Sequence, residues 1–254
     1  MIEARDLVKR YGSTMAVNDL SLSIRPGMVT GFLGPNGAGK TTTMRMILGL
    51  DAPAQGSVTV GGRRYRDLPA PVREVGALLD AKALHGGRRA RDHLLCLAHS
   101  NGIPRSRVDE VLRIAGLEAV ARRRAKGFSL GMGQRLGVAS ALLGDPAVLI
   151  FDEPVNGLDP DGIRWVRTLM RALAAEGRTV LVSSHLMSEM ALTAGHLLVT
   201  GKGRLIADTS VEEFVRSSSR QPVHVREIEA LGLEVTLARI PEPDPDGSAS
   251  TQAA

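Results

Sequence analysis

The spacing of apolar residues in the first thirty positions predicts short strands. Leu20 to Ile24 is apolar at every second residue, as a strand with one buried face is, and Ile2 to Val8 has the composition of a second short strand. Pro26 and Gly27 then break the pattern. We therefore expect an antiparallel β layer in this N-terminal region.

After this layer, short apolar runs alternate with segments of helical spacing. Val29 to Leu33 and Val148 to Phe151 are typical of parallel strands that are covered on both faces. Further strands are predicted at Ser57 to Val60 paired with Val75 to Leu79, at Thr179 to Ser183 and at His196 to Thr200. Helices are predicted from Lys40 to about Leu48, from Asp161 to Ala175 and between the last two strands. This β-α-β-α order predicts an α/β fold with a parallel sheet.

The middle of the chain has the pattern of helices. Apolar positions from about Arg88 to Arg124 recur at helical spacing and are interrupted by glycine and proline. Ser129 is placed to cap one more helix, which reaches Leu143. We interpret this region, about residues 86–145, as an α-helical subdomain inserted into the α/β core.

The composition limits where the chain works. It has 254 residues with a single cysteine, which excludes an internal disulfide, and we expect Cys96 to be a small buried apolar residue. No run approaches the roughly 18 to 20 apolar residues of a membrane span. The N-terminus is charged and does not resemble an apolar leader. We therefore predict a cytoplasmic protein.

The net charge is +5, and the positive charge is nearly all arginine. Basic surfaces attract nucleic acids and anionic membranes. The arginine clusters, such as Arg63-Arg64 and Arg122-Arg123-Arg124, are scattered along the chain and lack interleaved aromatic residues that could stack on bases. No nucleic-acid partner is expected.

The first chemical motif follows the predicted strand at residues 29–33. It has the phosphate-loop spacing, a glycine, four residues, then glycine, lysine and threonine, and its residues are Gly34, Pro35, Asn36, Gly37, Ala38, Gly39, Lys40 and Thr41, followed by Thr42. Glycines allow the backbone to approach a ligand closely, so that N–H groups at the start of a helix can point at phosphate oxygens. Lys40 is predicted to reach the β- and γ-phosphates, and the Thr41 hydroxyl to bind Mg²⁺. Because the chain contains no Asn-Lys-x-Asp guanine motif, the predicted nucleotide is ATP.

Two carboxylates, Asp152 and Glu153, follow directly on the apolar run Val148 to Phe151. Ligands of an open parallel sheet bind at the carboxyl ends of its strands, so Asp152 is placed to face Mg²⁺ beside the phosphate loop. Glu153 is then placed to polarise the water that attacks the γ-phosphate. Together the two motifs predict an ATPase built on the core of the phosphate-loop NTPases.

The segment Phe128 to Leu136 resembles the signature of ATP-binding cassette proteins, and it lies where that family has it, between the helical insert and the strand that ends in Asp-Glu. The resemblance covers about residues 1–216 and implies a nucleotide-binding domain over residues 1–220. A small C-terminal extension at 221–240 would follow. Residues 241–254 lack apolar content and are predicted to be a disordered tail.

The resemblance also implies roles for single residues. Ser129 and Gly131 would contact the γ-phosphate held by another subunit, Asp159 would belong to the D-loop, His185 would be the switch histidine and Tyr11 the aromatic that stacks on adenine. A capped helix start with a small, exposed Ser-Leu-Gly is also a suitable anion site in its own right. We therefore expect a homodimer, or a dimer with a close paralogue, that closes on ATP.

Departures from the family pattern occur at two sites. Leu130 and Met132 replace the first glycine and the glutamine of the usual signature. Asp80 stands where the family commonly has the Q-loop glutamine, and its carboxylate can still take an oxygen-ligand role toward Mg²⁺ or its water. The added negative charge beside phosphate would slow hydrolysis. This combination resembles the bacterial drug and antibiotic-export branch, whose permease is a separate chain.

Three functions are compatible with these observations. The leading hypothesis is the ATP-hydrolysing subunit that powers a membrane exporter, bound to a separate transmembrane permease on the inner face of the cell membrane. The second is a soluble cassette ATPase that acts on nucleic acid or in translation. The third is a regulatory nucleotide-binding module with little turnover, which Asp80 and the altered signature favour.

Overall fold

The computed structural model describes residues 1–81 and 83–220, with side chains as far as residue 216. The predicted C-terminal extension and tail, residues 221–240 and 241–254, lie outside the described residues. Among the helices that are described, none is long and apolar enough to cross a bilayer.

Strands and helices alternate along most of the chain. Within the described ranges there are nine strands, which are β1 (Ile2–Tyr11), β2 (Thr14–Ile24), β3 (Val29–Leu33), β4 (Gln55–Val60), β5 (Val75–Leu78), β6 (Val148–Phe151), β7 (Thr179–Ser184), β8 (His196–Gly201) and β9 (Arg204–Ser210). The same residues form eight α-helices, which are α1 (Lys40–Ile47), α2 (Pro71–Glu74), α3 (Ala90–Ser100), α4 (Arg105–Ile114), α5 (Leu130–Leu142), α6 (Pro160–Ala175), α7 (Met187–Ala191) and α8 (Val211–Arg220). The predicted α/β class is confirmed.

The N-terminal strands form an antiparallel sheet of order β2-β1-β4, which confirms the predicted β layer. The predicted pairing of residues 57–60 with residues 75–79 is wrong. β4 pairs with β1 from Ile2 opposite Val60 onward, whereas β5 pairs with β6 in the other sheet. Both segments are apolar and short, so their pattern indicates strands without indicating which partner each has.

The central sheet of the described chain has the order β5-β6-β7-β3-β8-β9. Its strands run parallel except β9, which pairs antiparallel with β8. The prediction of a parallel sheet therefore holds for five strands and misses the antiparallel edge. β9 alternates between exposed and half-buried positions, so it lacks the continuous apolar run that predicted the others.

Apolar side chains cover both faces of this sheet. Neighbouring residues of one strand belong to different core clusters: Leu149 faces the helices α3 to α6, whereas Ile150 faces α1 and the antiparallel sheet. Strands buried on both faces need apolar residues at every position, which explains the uninterrupted runs in the sequence. The arrangement brings the carboxyl ends of β3, β6 and β7 to one edge, where the loops that follow them meet.

Helices α3, α4 and α5 pack together in the predicted helical region. Ser129 caps α5 as expected, because its hydroxyl accepts from the N–H of Met132 at 3.2 Å. Cys96 on α3 is exposed, so the expectation of a buried cysteine is wrong. It lies on the outer face of α3, whereas Leu94 and Ala98 face the core.

Candidate functional site

The phosphate-loop residues connect β3 to α1. Gly37 and Gly39 have φ values of +82° and +93°, in the left-handed region that favours glycine. A Cβ at Gly39 would lie 2.4 Å from the carbonyl oxygen of Ala16, so a side chain at this position would force a shift. Gly39 is also the N-cap of α1 and brings no side-chain cap. The N–H groups of the first turn are therefore left for another acceptor, as in anion-binding helix starts.

Lys40, the first residue of α1, has only 7% of its side chain exposed. Its ammonium donates to the carbonyl oxygens of Gly34 at 2.5 Å and Pro35 at 3.2 Å, and it lies 3.9 Å from Glu153 Oε1. Burial lowers the pKa of Lys40, while the charges of Glu153 and Asp152 oppose that shift. The cation is thus held between the carbonyls of the loop and the carboxylate that follows β6.

Thr41 and Asp152 meet where α1 begins and β6 ends. The Thr41 hydroxyl donates to Asp152 Oδ2 at 2.6 Å. Hydroxyl and carboxylate oxygens suit Mg²⁺, which binds through few protein ligands and keeps several waters and phosphate oxygens. The part of the chain that the structure describes contains no group of three or more His, Cys, Asp and Glu side chains that could hold a metal by themselves. The Thr41–Asp152 pair therefore fits an Mg²⁺ that arrives with a nucleotide, and it does not form a dedicated metal cage.

Ser183, which the sequence analysis does not single out, joins the two carboxylate residues. Its hydroxyl donates to Asp152 Oδ1 and accepts from the N–H of Glu153 at 2.9 Å. Ser183 is fully buried in β7, the strand beside β6. The sequence offers one signal, a serine at the carboxyl end of a predicted parallel strand, and serine is too common at such ends for that signal to single out Ser183.

Glu153 has φ of +48°, a left-handed conformation that is uncommon for a residue with a side chain. Its Oε2 lies 3.0 Å from His185 Nδ1, and its backbone carbonyl accepts from Gln134 Nε2 at 3.4 Å. The bond to Ser183 holds its N–H, so side chain and backbone are both fixed. Backbone strain that is held in place in this way is concentrated at functional sites. Glu153 thereby lies between Lys40 and His185.

A second group of predicted residues lies at the starts of α5 and α6. Asp159 caps α6, because its Oδ1 accepts from the N–H of Gly162 at 2.8 Å, as Ser129 caps α5. The two helix starts touch: a Cβ at Gly157 would lie 2.1 Å from Leu130 Cδ2, and one at Gly131 would lie 3.3 Å from Leu158 Cδ2. The absence of a side chain at Gly157 is what makes room for Leu130, one of the two residues that depart from the usual signature.

Tyr11 ends β1 with 47% of its surface exposed. Its hydroxyl donates to Asp51 Oδ2 at 2.7 Å, and the ammonium of Lys9 lies 5.1 Å from the centre of its ring. The hydrogen bond to Asp51 raises the pKa of Tyr11, and burial and the negative charge of Asp51 act in the same direction. Stacking on adenine stays a prediction for this residue.

Asp80 is exposed in the segment that follows β5. Its backbone carbonyl accepts from the N–H of Ala83 at 3.2 Å. Asp80 follows two residues after Leu78, the last residue of β5, whose carbonyl accepts from the N–H of Asp152 at 2.8 Å. The role of Asp80 toward Mg²⁺ stays a prediction.

The glycine loop, the buried lysine and the carboxylates at the strand ends define a phosphate-loop nucleotide-binding protein. Residues 17–156 match the family model of the ABC transporters. The chain therefore belongs to the ATP-binding cassette transporter family, and it is an ATP-binding, ATP-hydrolysing subunit of an ATP-powered transport system.

Curated relatives and solved structures agree with this assignment. The bacitracin transport ATP-binding protein of Bacillus licheniformis is 41% identical over 223 residues, which cover 87% of this chain and 73% of the relative. The lantibiotic transport ATP-binding protein of Streptococcus pyogenes is 36% identical over 210 residues, 82% of this chain and 90% of the relative. A solved ATP-binding subunit of an ABC transporter superposes with a TM-score of 0.80 at 26% identity, over 91% of this chain and 99% of the other. A dimeric bacterial cassette shares the fold, with a TM-score of 0.76 at 23% identity over 83% of this chain and 99% of the other.

Proposed function

We propose that this chain binds MgATP on the loop of residues 34–42 and hydrolyses it with Glu153 as the general base. The observation that carries the proposal is the convergence of Lys40, Thr41, Asp152, Glu153 and His185, which are joined by direct contacts at one edge of the sheet. Glu153 accepts a proton from the attacking water, and His185 orients its carboxylate through the contact at Nδ1. Lys40 exchanges its loop carbonyls for the β- and γ-phosphates.

Thr41 and Asp152 would hold Mg²⁺, with Asp80 as a further oxygen ligand to the ion or its water. The ion supplies positive charge that neutralises the phosphate oxygens. Ser183 contributes by fixing Asp152 Oδ1 and the Glu153 backbone together, so that the two carboxylates keep one relative orientation. The tether matters because a general base must lie within hydrogen-bond reach of its water.

The catalytic unit in this proposal is a dimer, either of two copies or with a close paralogue. Ser129, Gly131 and Asp159 lie at two helix starts that contact each other, and Ser129 is exposed. Helix starts are positive and attract phosphate, so this surface suits the γ-phosphate on a facing subunit. ATP binding closes the dimer, and hydrolysis with phosphate release reopens it.

The work done by this cycle is export, driven through a separate transmembrane permease. Relatives named for bacitracin and lantibiotic transport support a substrate of the peptide-antibiotic class. The chain would lie at the inner face of the cell membrane, held there by the permease. Specificity for the exported molecule would then belong to the membrane partner.

ATPase assays on the chain alone and with its co-purified permease in nanodiscs test the proposal. We expect MgATP hydrolysis that the permease stimulates and that Lys40→Ala abolishes, because the lysine no longer binds the phosphates. Exposed Lys126 provides the matched control, and Lys126→Ala should keep the ATP affinity of the parent. Stimulation by RNA or DNA that falls steeply with salt would instead favour a nucleic-acid ATPase. ATP binding without turnover, even with the permease, would favour the regulatory module.

A further inference from the structure

Two side chains from different helices bind the end of a third. Arg135 lies on α5 and Trp165 on α6, and the guanidinium carbon of Arg135 is 4.2 Å from the centre of the Trp165 ring. Arg135 Nη1 donates to the carbonyl of Ala115 at 3.0 Å, and Trp165 Nε1 donates to the carbonyl of Ile114 at 3.1 Å. Both carbonyls belong to the C-terminal end of α4. The stacked pair therefore joins α4, α5 and α6.

The way in which α4 ends explains why these two carbonyls need partners. The last carbonyl groups of a helix receive no hydrogen bond from an N–H group of the same helix. Gly116, at φ +65°, forms the Schellman pattern with the residue after it, and their N–H groups satisfy the carbonyls of Arg113 at 3.0 Å and Leu112 at 2.9 Å. The next two carbonyls along the chain are the ones that Trp165 and Arg135 bind. The pair thus completes the hydrogen bonding of the helix end.

The helices that carry the pair are also the helices whose starts bear the proposed trans residues. Ser129 caps α5 and Asp159 caps α6, and Arg135 and Trp165 follow their caps at equal spacing. The helix starts contact each other through Leu130. One contact therefore joins α5 and α6 at their caps, and the Arg–Trp pair joins them further along and fastens both to α4.

We propose that Arg135 and Trp165 are positioning residues for the nucleotide site between two subunits. They set the Ser129 end of α5 against the Asp159 end of α6, and they tie both ends to α4 in the helical region. A movement of α4 is then passed to both caps through the two hydrogen bonds at its end. The inference rests on the proposed function, because it requires Ser129 and Asp159 to face the nucleotide of a partner. Neither Arg135 nor Trp165 touches ATP in this account.

Two conservative variants weaken the contacts of the Arg–Trp pair while keeping side chains of similar size. Trp165→Phe keeps an aromatic ring and loses the N–H donor, and Arg135→Lys keeps the charge and loses the planar group that stacks. Each substitution is introduced into the Glu153→Gln protein, in which bound ATP is not hydrolysed. Dimerisation in the presence of MgATP is then measured by sedimentation equilibrium. We expect each variant to raise the dimer dissociation constant about 10-fold. The affinity of the dilute monomer for ATP should stay that of the parent.

Three comparisons make the test specific. Arg113→Lys, at an exposed arginine on the same helix end, should dimerise as the parent does. The double variant Arg135→Lys/Trp165→Phe should dimerise no more weakly than the single variant with the larger defect. Each single variant already breaks the same Arg–Trp pair, so the two effects should not add. Trp165 is the only tryptophan of the sequence, so a change in tryptophan fluorescence between the parent and Arg135→Lys shows that the stacking contact is lost while the protein stays folded.

Unchanged dimerisation in Arg135→Lys, Arg135→Gln and Trp165→Phe would overturn the inference. A parallel loss of monomer ATP affinity would also overturn it, since the pair would then support the whole fold. If Glu153→Gln binds MgATP and dimerises neither with itself nor with a close paralogue, the proposed dimer mechanism fails, and the positioning role fails with it. If the Glu153→Gln parent dimerises and the Arg135 and Trp165 variants dimerise equally well, the proposed function stands and only the positioning role is overturned.

Discussion

The Thr41 hydroxyl donates to Asp152 Oδ2 at 2.6 Å, although 111 positions separate the two residues. The contact exists because β3 and β6 both end at the same edge of the sheet, with β7 between them. Thr41 follows the loop after β3, and Asp152 follows β6 directly. The bond therefore joins the loop predicted to bind phosphate to the carboxylates predicted to act on it.

Glu153→Gln should lower ATP turnover by about 10²-fold or more, because an amide cannot accept the proton of the attacking water. ATP binding should be retained, since the phosphates are held by the loop and Lys40. Steady-state hydrolysis and equilibrium nucleotide binding measure the two effects separately. Glu118→Gln, at an exposed glutamate of the helical region, is the matched control and should leave both unchanged. Turnover at the parent rate in Glu153→Gln would remove this residue from catalysis.

Ser183→Ala should raise the Mg²⁺ concentration needed for half-maximal activity and lower turnover by about 10-fold, as expected when a group that holds a ligand is lost. The hydroxyl no longer holds Asp152 Oδ1, and the N–H of Glu153 loses its acceptor at 2.9 Å. The neighbouring Ser184→Ala is the control, because Ser184 bonds to Leu186 and not to the carboxylates. Activity titrations against Mg²⁺ at saturating ATP distinguish the two serines. Identical titrations for Ser183→Ala and the parent would show that the bridge has no role in turnover.

Asp145→Asn should lower the melting temperature at neutral pH. Asp145 Oδ1 accepts from Arg178 at 2.9 Å and from Arg107 at 3.0 Å, which links α4 to the residue that precedes β7. Burial alone would raise the pKa of Asp145, but the hydrogen bond from Arg178 and the charges of both arginines hold it below its usual value. The stabilisation is therefore present above about pH 4 and is lost as the pH falls through the lowered pKa.

Calorimetry of the parent and Asp145→Asn at several pH values checks this sign. The difference in melting temperature should be largest near neutrality and shrink in acid. Asparagine tolerates the left-handed backbone of position 145, so the variant changes the charge and not the turn. Asp161→Asn, which breaks an exposed pair with Arg164 one helical turn away, should have a smaller effect. A difference that grows in acid would contradict the assigned pKa direction.

Cys96 should react quickly with a maleimide in the folded protein, because its side chain is exposed on α3. Mass spectrometry should find one label per chain, and Cys96→Ser should show none. Labelled protein should hydrolyse ATP at the parent rate, since Cys96 lies outside the site described above. Reaction only after denaturation would contradict the exposure that the structure gives to this residue.

Much of the fold could be predicted from the sequence because burial on both faces leaves an unmistakable pattern. Every residue of β6 is apolar, β7 and β8 each contain a run of three apolar residues, and β3 has three apolar residues among its five. In each of these strands neighbouring apolar residues pack into opposite clusters. β9 could not be found in this way, since only part of each side chain is covered. The sequence also could not show which strands pair. β4 and β5 belong to different sheets, but their patterns of apolar residues are alike.

The site could be predicted where chemistry restricts the residue type, as it does at Lys40, Thr41 and the Asp152–Glu153 pair. Ser183 carries no such restriction, because serine is common at strand ends and only the fold places it between two carboxylates. Trp165 could not be predicted either, because the acceptor of its indole N–H lies on another helix, 51 residues away in sequence. Exposure of Cys96 was missed because one residue on a helix face gives no periodic signal.

A crystal structure of Glu153→Gln with MgATP would show directly whether ATP is held between two subunits. We expect two subunits facing each other, with each triphosphate between the Lys40 loop of one and the Ser129 end of α5 of the other, and Mg²⁺ beside Thr41 and Asp152. A triphosphate bound away from the Lys40 loop, or a Ser129 helix start turned away from every second subunit, would contradict it.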